Sequence, residues 1–359
     1  MSAPNHDLSS ALLDSKSESD SKLSGIAPGI LTPAGDPVSD VLDTVRLQGA
    51  VFFLWEPGWP YGTGVADGRM LSRHILPEAD CIVSYHIVTK GPCWAAVPGE
   101  SPVPLDTGDT LVLPRGDPYK IANTPQYPTP EDCGNSIEFF KTMSAGKIPL
   151  VVRDGGPGPE NNKLICGFLG CNTGPYNPLL STLPRMMRIR APEGGNDPLS
   201  SLIDFALTES RQSRGGERCL LMRLSEVMFI EVLRRYLRSG PDYDSRWLAG
   251  LRDPLVGRVL ALLHRDIAGT WTLRKLAESI GASRSTLAER FTEVIGLPPM
   301  QYLTRWRMHI AANRLRDTTV KVYAVANEVG YDSEEAFSRA FKRVVGVTPR
   351  QWRERAFQE

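Results

Sequence analysis

Cysteine is scarce in this sequence, and no cysteine has the spacing of a metal site. Six cysteines occur among 359 residues, without a C-x-x-C pair or the histidine spacing of a zinc finger. Cys166 and Cys171 are close enough in sequence to share a bridge or a ligand, but buried free thiols are the default in a reducing compartment. The cysteines therefore argue against a domain stabilised by disulfides or zinc.

Long apolar runs are also missing. The sequence has no run of about 18 or more apolar residues, so a membrane-spanning helix is not expected. The first residues lack a basic segment followed by an apolar one, and we therefore expect no secretory signal and a cytoplasmic location. Residues 1–36 are rich in Ser, Asp, Lys, Pro and Gly and have little to bury, so this segment is expected to be disordered.

The chain has no net charge, which at first argues against a nucleic-acid partner. The charges are, however, unevenly distributed. Residues 251–359 contain 18 Lys and Arg against 12 Asp and Glu, a surplus of +6, so the remainder carries −6. A basic C-terminal third behind an acidic remainder points to an anionic partner for that third alone.

Residues 37–192 have the pattern of a small β-barrel or sandwich. Short apolar runs separated by Gly and Pro each predict a strand, and several such strands with turns between them are typical of these folds. The stretch from Thr124 to Lys163 is rich in loop-forming residues. The strand-like runs are VFFLWEPGW from Val51, CIVSYHIV from Cys81, CWAAVP from Cys93, TLVLPRG from Thr110 and KLICGFLG from Lys163.

The apolar period becomes helical over residues 197–239. Leu199, Leu202 and Ala206 mark one stripe, and Leu220 with Val227 marks a second. RQSRGGE separates the two stripes, so an antiparallel helical hairpin is expected. Its strongly apolar second helix suits either a core or a subunit interface. Residues 240–252 are then interpreted as a linker, followed by a helical region.

An internal repeat occupies the C-terminal region. Ser283, Gly296 and Pro299 recur 50 residues later as Ser333, Gly346 and Pro349, and upstream the offset is 49, so that Gly281 matches Gly330. In each copy a short helix ends at a glycine. A serine then caps a second helix, with Asp332 as an alternative cap in the second copy. This pattern predicts two helix-turn-helix units, which place their second helices in the DNA major groove.

The same region resembles the DNA-binding domain of AraC/XylS-type regulators. The resemblance is carried by RDPLVGRVLALLH from Arg252, GLPPMQYLTRWRMHIAANRL from Gly296, and ANEVGYDSEEAFSRAFKRVVGVTPRQWR from Ala326. It implies seven helices over residues 253–357, with two units joined by one long helix that enter adjacent major-groove segments. It further implies double-stranded DNA and a second copy of the chain as partners, with RNA polymerase as a further partner.

Helical geometry selects the side chains that face DNA. With Leu287 set inward, the outward face of the first recognition helix is polar, whereas that of the second is basic. We therefore expect the second unit to attract phosphate more strongly, and Arg339 to bind guanine. Members of the resembled family often carry a basic or amide residue where this chain has Glu289. The candidate DNA contacts are Arg284, Ser285, Thr286, Glu289, Arg290, Glu335, Ser338, Arg339, Lys342 and Arg343.

The N-terminal part resembles a cupin barrel that lacks its metal ligands. Residues 108–123 match the second cupin motif in spacing, but Tyr119 stands where the family has a metal-binding His. Ser84 falls at the position of the acidic ligand of the first motif, and residues 78–80 hold no His. A metal-free barrel without a cofactor is therefore expected, with a small-molecule effector pocket. Its candidate lining residues are Trp55, Trp59, Tyr61, His74, His86, Trp94 and Tyr119.

The sequence as a whole predicts an α+β multidomain regulator, which binds specific DNA as activator or repressor under the control of a small molecule. Three alternatives remain: a helical bundle without a DNA partner, an architectural DNA binder of low specificity, and a cupin oxygenase or isomerase. The enzyme would need a set of His and carboxylate ligands. Only His74, His86, Glu78 and Asp80 are available for that purpose.

Overall fold

The computed structural model describes residues 36–126, 134–192, 197–212, 214–238, 246–316 and 319–355. The segment expected to be disordered lies outside these ranges except for Asp36. Among the described residues, no helix combines the length and apolar character needed to cross a membrane.

Two sheets form the N-terminal part, which is sheet-rich as expected. Six strands pair in the order β10-β6-β3-β9-β1-β8, and four pair in the order β2-β7-β4-β5. Both sheets are dominated by antiparallel pairs, with β1 and β8 parallel. The strands are β1 (Gln48–Trp55), β2 (Gly62–Val65), β3 (Cys81–Lys90), β4 (Cys93–Ala96), β5 (Val103–Leu105), β6 (Thr110–Leu113), β7 (Tyr119–Ala122), β8 (Val151–Val152), β9 (Lys163–Cys171) and β10 (Met187–Ile189).

Along the chain, helices precede, interrupt and follow these strands. One of them lies in the stretch from Thr124 to Lys163, interpreted from the sequence as loop-rich. That stretch contains α3, which caps one end of the barrel, as well as β8. The expected hairpin is present as α4 and α5. The helices are α1 (Pro37–Val45), α2 (Gly68–Ile75), α3 (Gly134–Ser144), α4 (Pro198–Glu209) and α5 (Glu217–Arg238), with a short 3-10 turn at Leu180–Thr182.

The two faces of the six-stranded sheet pack into two different apolar cores. Because successive side chains of a strand point to opposite faces, Ile82 and Val88 of β3 face the barrel interior, whereas Val83 and Tyr85 face helix α5. The Tyr85 hydroxyl lies 2.9 Å from Ser225 Oγ on that helix. This alternation separates the residues that face the barrel interior from those that pack against the helices.

The C-terminal part is entirely helical in its described residues. Its helices are α6 (Arg246–Arg252), α7 (Val256–Arg265), α8 (Leu273–Ile280), α9 (Arg284–Ile295), α10 (Pro299–Leu315), α11 (Val322–Glu328), α12 (Glu334–Val345) and α13 (Pro349–Arg355). One expectation needs correction here: residues 246–252, interpreted as linker, form α6. The reason is burial, since Trp247, Leu248 and Leu251 pack into the core beside α9. The Trp247 indole also donates a 2.9 Å hydrogen bond to the Tyr302 hydroxyl.

The sheet-rich N-terminal part and the helical part share one continuous core. Val41 of α1 and Leu260 of α7 belong to the same apolar cluster. Polar contacts join the two parts as well: the Asn313 side chain donates to the Thr44 carbonyl at 2.8 Å, and Arg316 pairs with Asp80 of the N-terminal part. The helical part is therefore held directly against the barrel.

Candidate nucleic-acid interface and ligand cavity

The first helix-turn-helix unit consists of α8 and α9. Helix α8 ends at Gly281, whose φ of 70° is the left-handed conformation that glycine adopts without strain. The Ser283 hydroxyl then accepts a 3.1 Å hydrogen bond from the Thr286 amide and so caps α9. Leu287 and Phe291 are fully buried beneath this helix, which leaves its opposite face open.

The second unit consists of α11 and α12 and repeats this construction. Gly330 has a φ of 77° in the turn. The Ser333 hydroxyl accepts a 3.1 Å hydrogen bond from the Ala336 amide, so Ser333 rather than Asp332 is the cap. Phe337 and Phe341 are buried where the first unit has Leu287 and Phe291. The predicted repeat is thus a repeat in three dimensions.

Helix α10 links the two units through Arg307. Its Nε donates to the Ile267 carbonyl at 2.8 Å and its Nη2 to the Gly269 carbonyl at 2.7 Å. Both carbonyls precede the first unit. Its Nη1 reaches the Gly330 carbonyl in the turn of the second unit at 3.5 Å. One half-buried guanidinium therefore contacts the segment that leads into the first unit and the turn of the second.

The exposed face of α9 is polar and nearly neutral. Arg284 and Glu289 point to solvent. Ser285 and Thr286 are also exposed, but their hydroxyls lie 2.9 and 2.8 Å from Ser283 Oγ and belong to the cap network. Arg290 is engaged elsewhere, because its guanidinium bonds Asp253 at 2.8 Å and Glu293 at 2.8 Å. Arg290 therefore anchors α9 to the start of α7.

The exposed face of α12 is basic. Arg339, Lys342 and Arg343 are all exposed, and none of them forms an ion pair with another described residue. Glu335 is exposed at the first turn of the helix, and Ser338 is half-buried. Of the two recognition helices, α12 thus presents more positive charge that is not neutralised by the protein itself.

The barrel encloses a cavity of about 190 Å³ between the two sheets and α3. Helix α3 covers it with Phe139 and Phe140, and the Ser136 hydroxyl accepts a hydrogen bond from the Ala66 amide at 3.3 Å. The wall is predominantly aromatic and aliphatic, with a few polar side chains. The lining residues are Phe53, Trp55, Gly62, Thr63, Gly64, Val65, His86, Ile121, Ser136, Phe139, Phe140, Val152, Asp154, Cys166 and Phe168.

His86 lies at the inner wall of this cavity with both ring nitrogens engaged. Nδ1 lies 3.1 Å from Cys166 Sγ, and Nε2 lies 2.5 Å from the Tyr119 hydroxyl. Burial lowers the pKa of His86 to about 3. Burial also raises the pKa of Tyr119 well above its usual range, against a hydrogen bond with Ser84 that lowers it. The imidazole is therefore neutral, and the hydroxyl of Tyr119, which stands where the second cupin motif has a metal-binding His, bonds its Nε2.

The other candidate pocket residues lie elsewhere. Tyr119 is buried behind His86, and Tyr61 packs edge-on against Trp55, with ring centroids 5.2 Å apart. Trp59 is 44% exposed, Trp94 is half-buried, and His74 lies exposed on α2. His86 and Trp55 are thus the two expected residues that line the cavity. Within the described ranges, no group of three or more His, Cys, Asp or Glu side chains is arranged to hold a metal ion.

A β-barrel sensor joined to two helix-turn-helix units defines a DNA-binding transcription regulator. The Cupin family model matches residues 36–238, and a helix-turn-helix domain model matches residues 276–355. The chain is 33% identical to a putative AraC-like transcription regulator of Streptomyces lividans, over 89% of this chain and 98% of that protein. This protein belongs to the AraC family of transcription regulators.

Other relatives span a similar length. The HTH-type transcriptional regulator AlkR of Acinetobacter baylyi is 27% identical over 79% of this chain and 90% of its own. MtrA of Neisseria gonorrhoeae, of the same description, is 27% identical over 83% and 96%. Among solved structures, the DNA-binding domain of AdpA in complex with a target DNA is 31% identical over 28% of this chain and 91% of that chain, with a TM-score of 0.27.

Proposed function

We propose that this regulator reads two adjacent major-groove segments on one face of the duplex, with α9 in one and α12 in the other. The unpaired cations Arg339, Lys342 and Arg343 on α12 carry this proposal, because uncompensated guanidinium and ammonium groups attract phosphate and guanine. In α9, Arg284 binds phosphate while Ser285 and Glu289 meet base edges. Arg290 acts as a positioning residue that holds α9 against α7.

Selection of bound duplexes from a random DNA library tests this proposed mode of DNA binding. The full chain at near-physiological salt is expected to enrich a motif in two parts, about one helical turn apart. Enrichment of a single short element would contradict the proposal, because only one unit would then read bases. Binding that shows no enrichment and collapses as salt rises would indicate phosphate attraction alone.

A small molecule in the barrel cavity controls this binding. The cavity has the apolar wall and few polar groups typical of ligand sites. Strands β3 and β9 line it through His86 and Cys166. The residues Asp80 and Asn172, which flank these strands, both bind Arg316 of the helical part. A ligand that shifts these strands would therefore act on the attachment of the helical part.

The hairpin formed by α4 and α5 is the surface that pairs two copies of the chain. Phe205, Leu220 and Val227 on this hairpin are between 42% and 50% exposed, and the seven-residue spacing of Leu220 and Val227 places these two on one face of α5. Val227→Glu is expected to yield a monomer by light scattering. Met70→Glu, at an equally exposed apolar side chain on α2, serves as the matched control and should leave the dimer intact.

We assign no enzymatic reaction to the barrel. The hydroxyl of Tyr119 and the imidazole of His86 bond each other, so neither is available as a metal ligand in this arrangement. Elemental analysis of the purified full chain tests the assignment, since stoichiometric iron or zinc would restore the oxygenase or isomerase hypothesis.

A further inference from the structure

The inner end of the barrel cavity presents an apolar surface to a ligand. Phe140 and Phe168 pack there with ring centroids 4.5 Å apart, and Phe53 stacks on Phe168 at 5.9 Å. His86 and Cys166 are polar by type, but they bond each other, and Tyr119 occupies the second nitrogen of the imidazole. A ligand therefore finds no free charged partner at this end and must place its hydrophobic portion here.

The mouth of the cavity carries a carboxylate. Asp154 is exposed to solvent and lines the cavity. Its Oδ1 accepts a 2.6 Å hydrogen bond from the Trp55 indole, which fixes the carboxylate at the edge of the indole ring. The lining residues include no Lys or Arg, and their one histidine, His86, is neutral. None of them therefore compensates the charge of Asp154.

The negative charge of Asp154 acts on the cavity itself. Burial is the main reason that the pKa of the Cys166 thiol is raised well above its usual range, and the charge of Asp154 adds to the effect. The same potential that disfavours a thiolate inside the cavity favours a cation at its mouth.

We propose that the cavity binds a small organic cation, a primary amine attached to one aromatic ring, with the ring among Phe53, Phe140 and Phe168 and the ammonium against the carboxylate of Asp154. An ammonium gains from the carboxylate, and an aromatic ring gains from burial among the three phenylalanines. The volume of about 190 Å³ suits a single substituted ring, because an apolar cavity of about 150 Å³ accepts benzene. This assignment rests on the proposed small-molecule control and names the ligand class.

Calorimetric titration of the full chain with three ligands of similar shape tests the assignment. The probes are 2-phenylethylamine, 2-phenylethanol and 3-phenylpropanoate. We expect the amine to bind at least tenfold more tightly than the alcohol, and the carboxylate to bind most weakly. Asp154→Asn should remove the advantage of the amine over the alcohol. Glu138→Gln, at an exposed carboxylate of α3 that does not line the cavity, should retain it.

Equal or tighter binding of the alcohol or the carboxylate would overturn the assignment. So would an amine preference that survives Asp154→Asn, or a failure of all three probes to bind. Library selection on the same preparation keeps the two proposals apart. A chain that still enriches the two-part DNA motif but does not prefer the amine loses only the ligand assignment, whereas a chain that enriches no motif loses the proposed mode of DNA reading.

Discussion

The Nη2 atom of Arg307 lies 2.7 Å from the carbonyl oxygen of Gly269. This contact joins the middle of the linking helix α10 to the loop that leads into the first helix-turn-helix unit. With the further bonds of Arg307 to Ile267 and Gly330, it connects one half-buried side chain to both helix-turn-helix units. If α9 and α12 read DNA as proposed, we expect recognition to depend on this residue through the spacing of the two helices.

Arg307→Ala should weaken binding to a two-part site more than binding to either half alone. The substitution leaves partly buried carbonyls without their charged donor, which costs about 1.5–3 kcal/mol of folding stability. Gel-shift titrations on whole and half sites, together with urea unfolding, measure both effects. Arg350→Ala, at a highly exposed ion pair on α13, is the control. An equal loss on whole and half sites would contradict a spacing role.

Arg339→Ala should reduce specific affinity by about 1–3 kcal/mol and relax the base preference at one position. Lys342→Ala should weaken binding evenly across sequences and reduce the slope of log affinity against log salt by about 1. The two substitutions lie on the same exposed face of α12, so each is the control for the other. An unchanged sequence preference in Arg339→Ala would remove this residue from base reading.

Gly167→Ala should destabilise the sensor by about 1–3 kcal/mol through overpacking. A Cβ at this position would lie 2.2 Å from the Tyr85 ring, which packs beneath α5. Gly215→Ala is the matched control, because a Cβ there meets nothing within 4 Å. Thermal unfolding followed by calorimetry compares the two, and an equal midpoint for both variants would show that the Tyr85 contact is not tight.

Stability should fall as the pH is lowered from 7 to 5. Burial lowers the pKa of His86 and His264 to about 3 and that of His309 to about 4. Since a histidine of the unfolded chain titrates near 6.5, the unfolded state takes up protons over this window that the folded state does not. Each group then costs roughly 2 kcal/mol of stability at pH 5.

Urea midpoints across this pH range provide the measurement. His309→Gln should reduce the pH dependence, whereas His74→Gln, at an exposed histidine, should leave it unchanged. A midpoint that stays constant or rises toward pH 5 would contradict the assignment of neutral buried histidines.

The helix-turn-helix units were predictable because the residues that end and begin their helices are recognisable from local sequence. Glycine at 281 and 330 and serine at 283 and 333 determine where helices end and begin, and the structure places them in these roles. Helix α6 was missed because a helix of seven residues gives too short an apolar pattern, and its Trp247 is buried only through contact with distant helices.

The cavity was predictable in its location but not in its lining. Aromatic character selected Trp59 and Trp94, which the structure places outside it, while Phe139, Phe140 and Asp154 fell in the stretch interpreted as loop-rich. Those three come from a covering helix and a loop, and only tertiary packing brings them to the barrel. No hydrophobic periodicity in the sequence marks such residues.

The central claim is that α9 and α12 act together on one face of the duplex. Insertion of five base pairs between the two halves of the selected site tests it most directly, because about half a helical turn rotates one half to the opposite face. We expect affinity to fall to that of a single half-site, and insertion of ten base pairs not to restore it, since α10 and Arg307 hold the units at one spacing. Affinity unchanged by the five-base-pair insertion would contradict it.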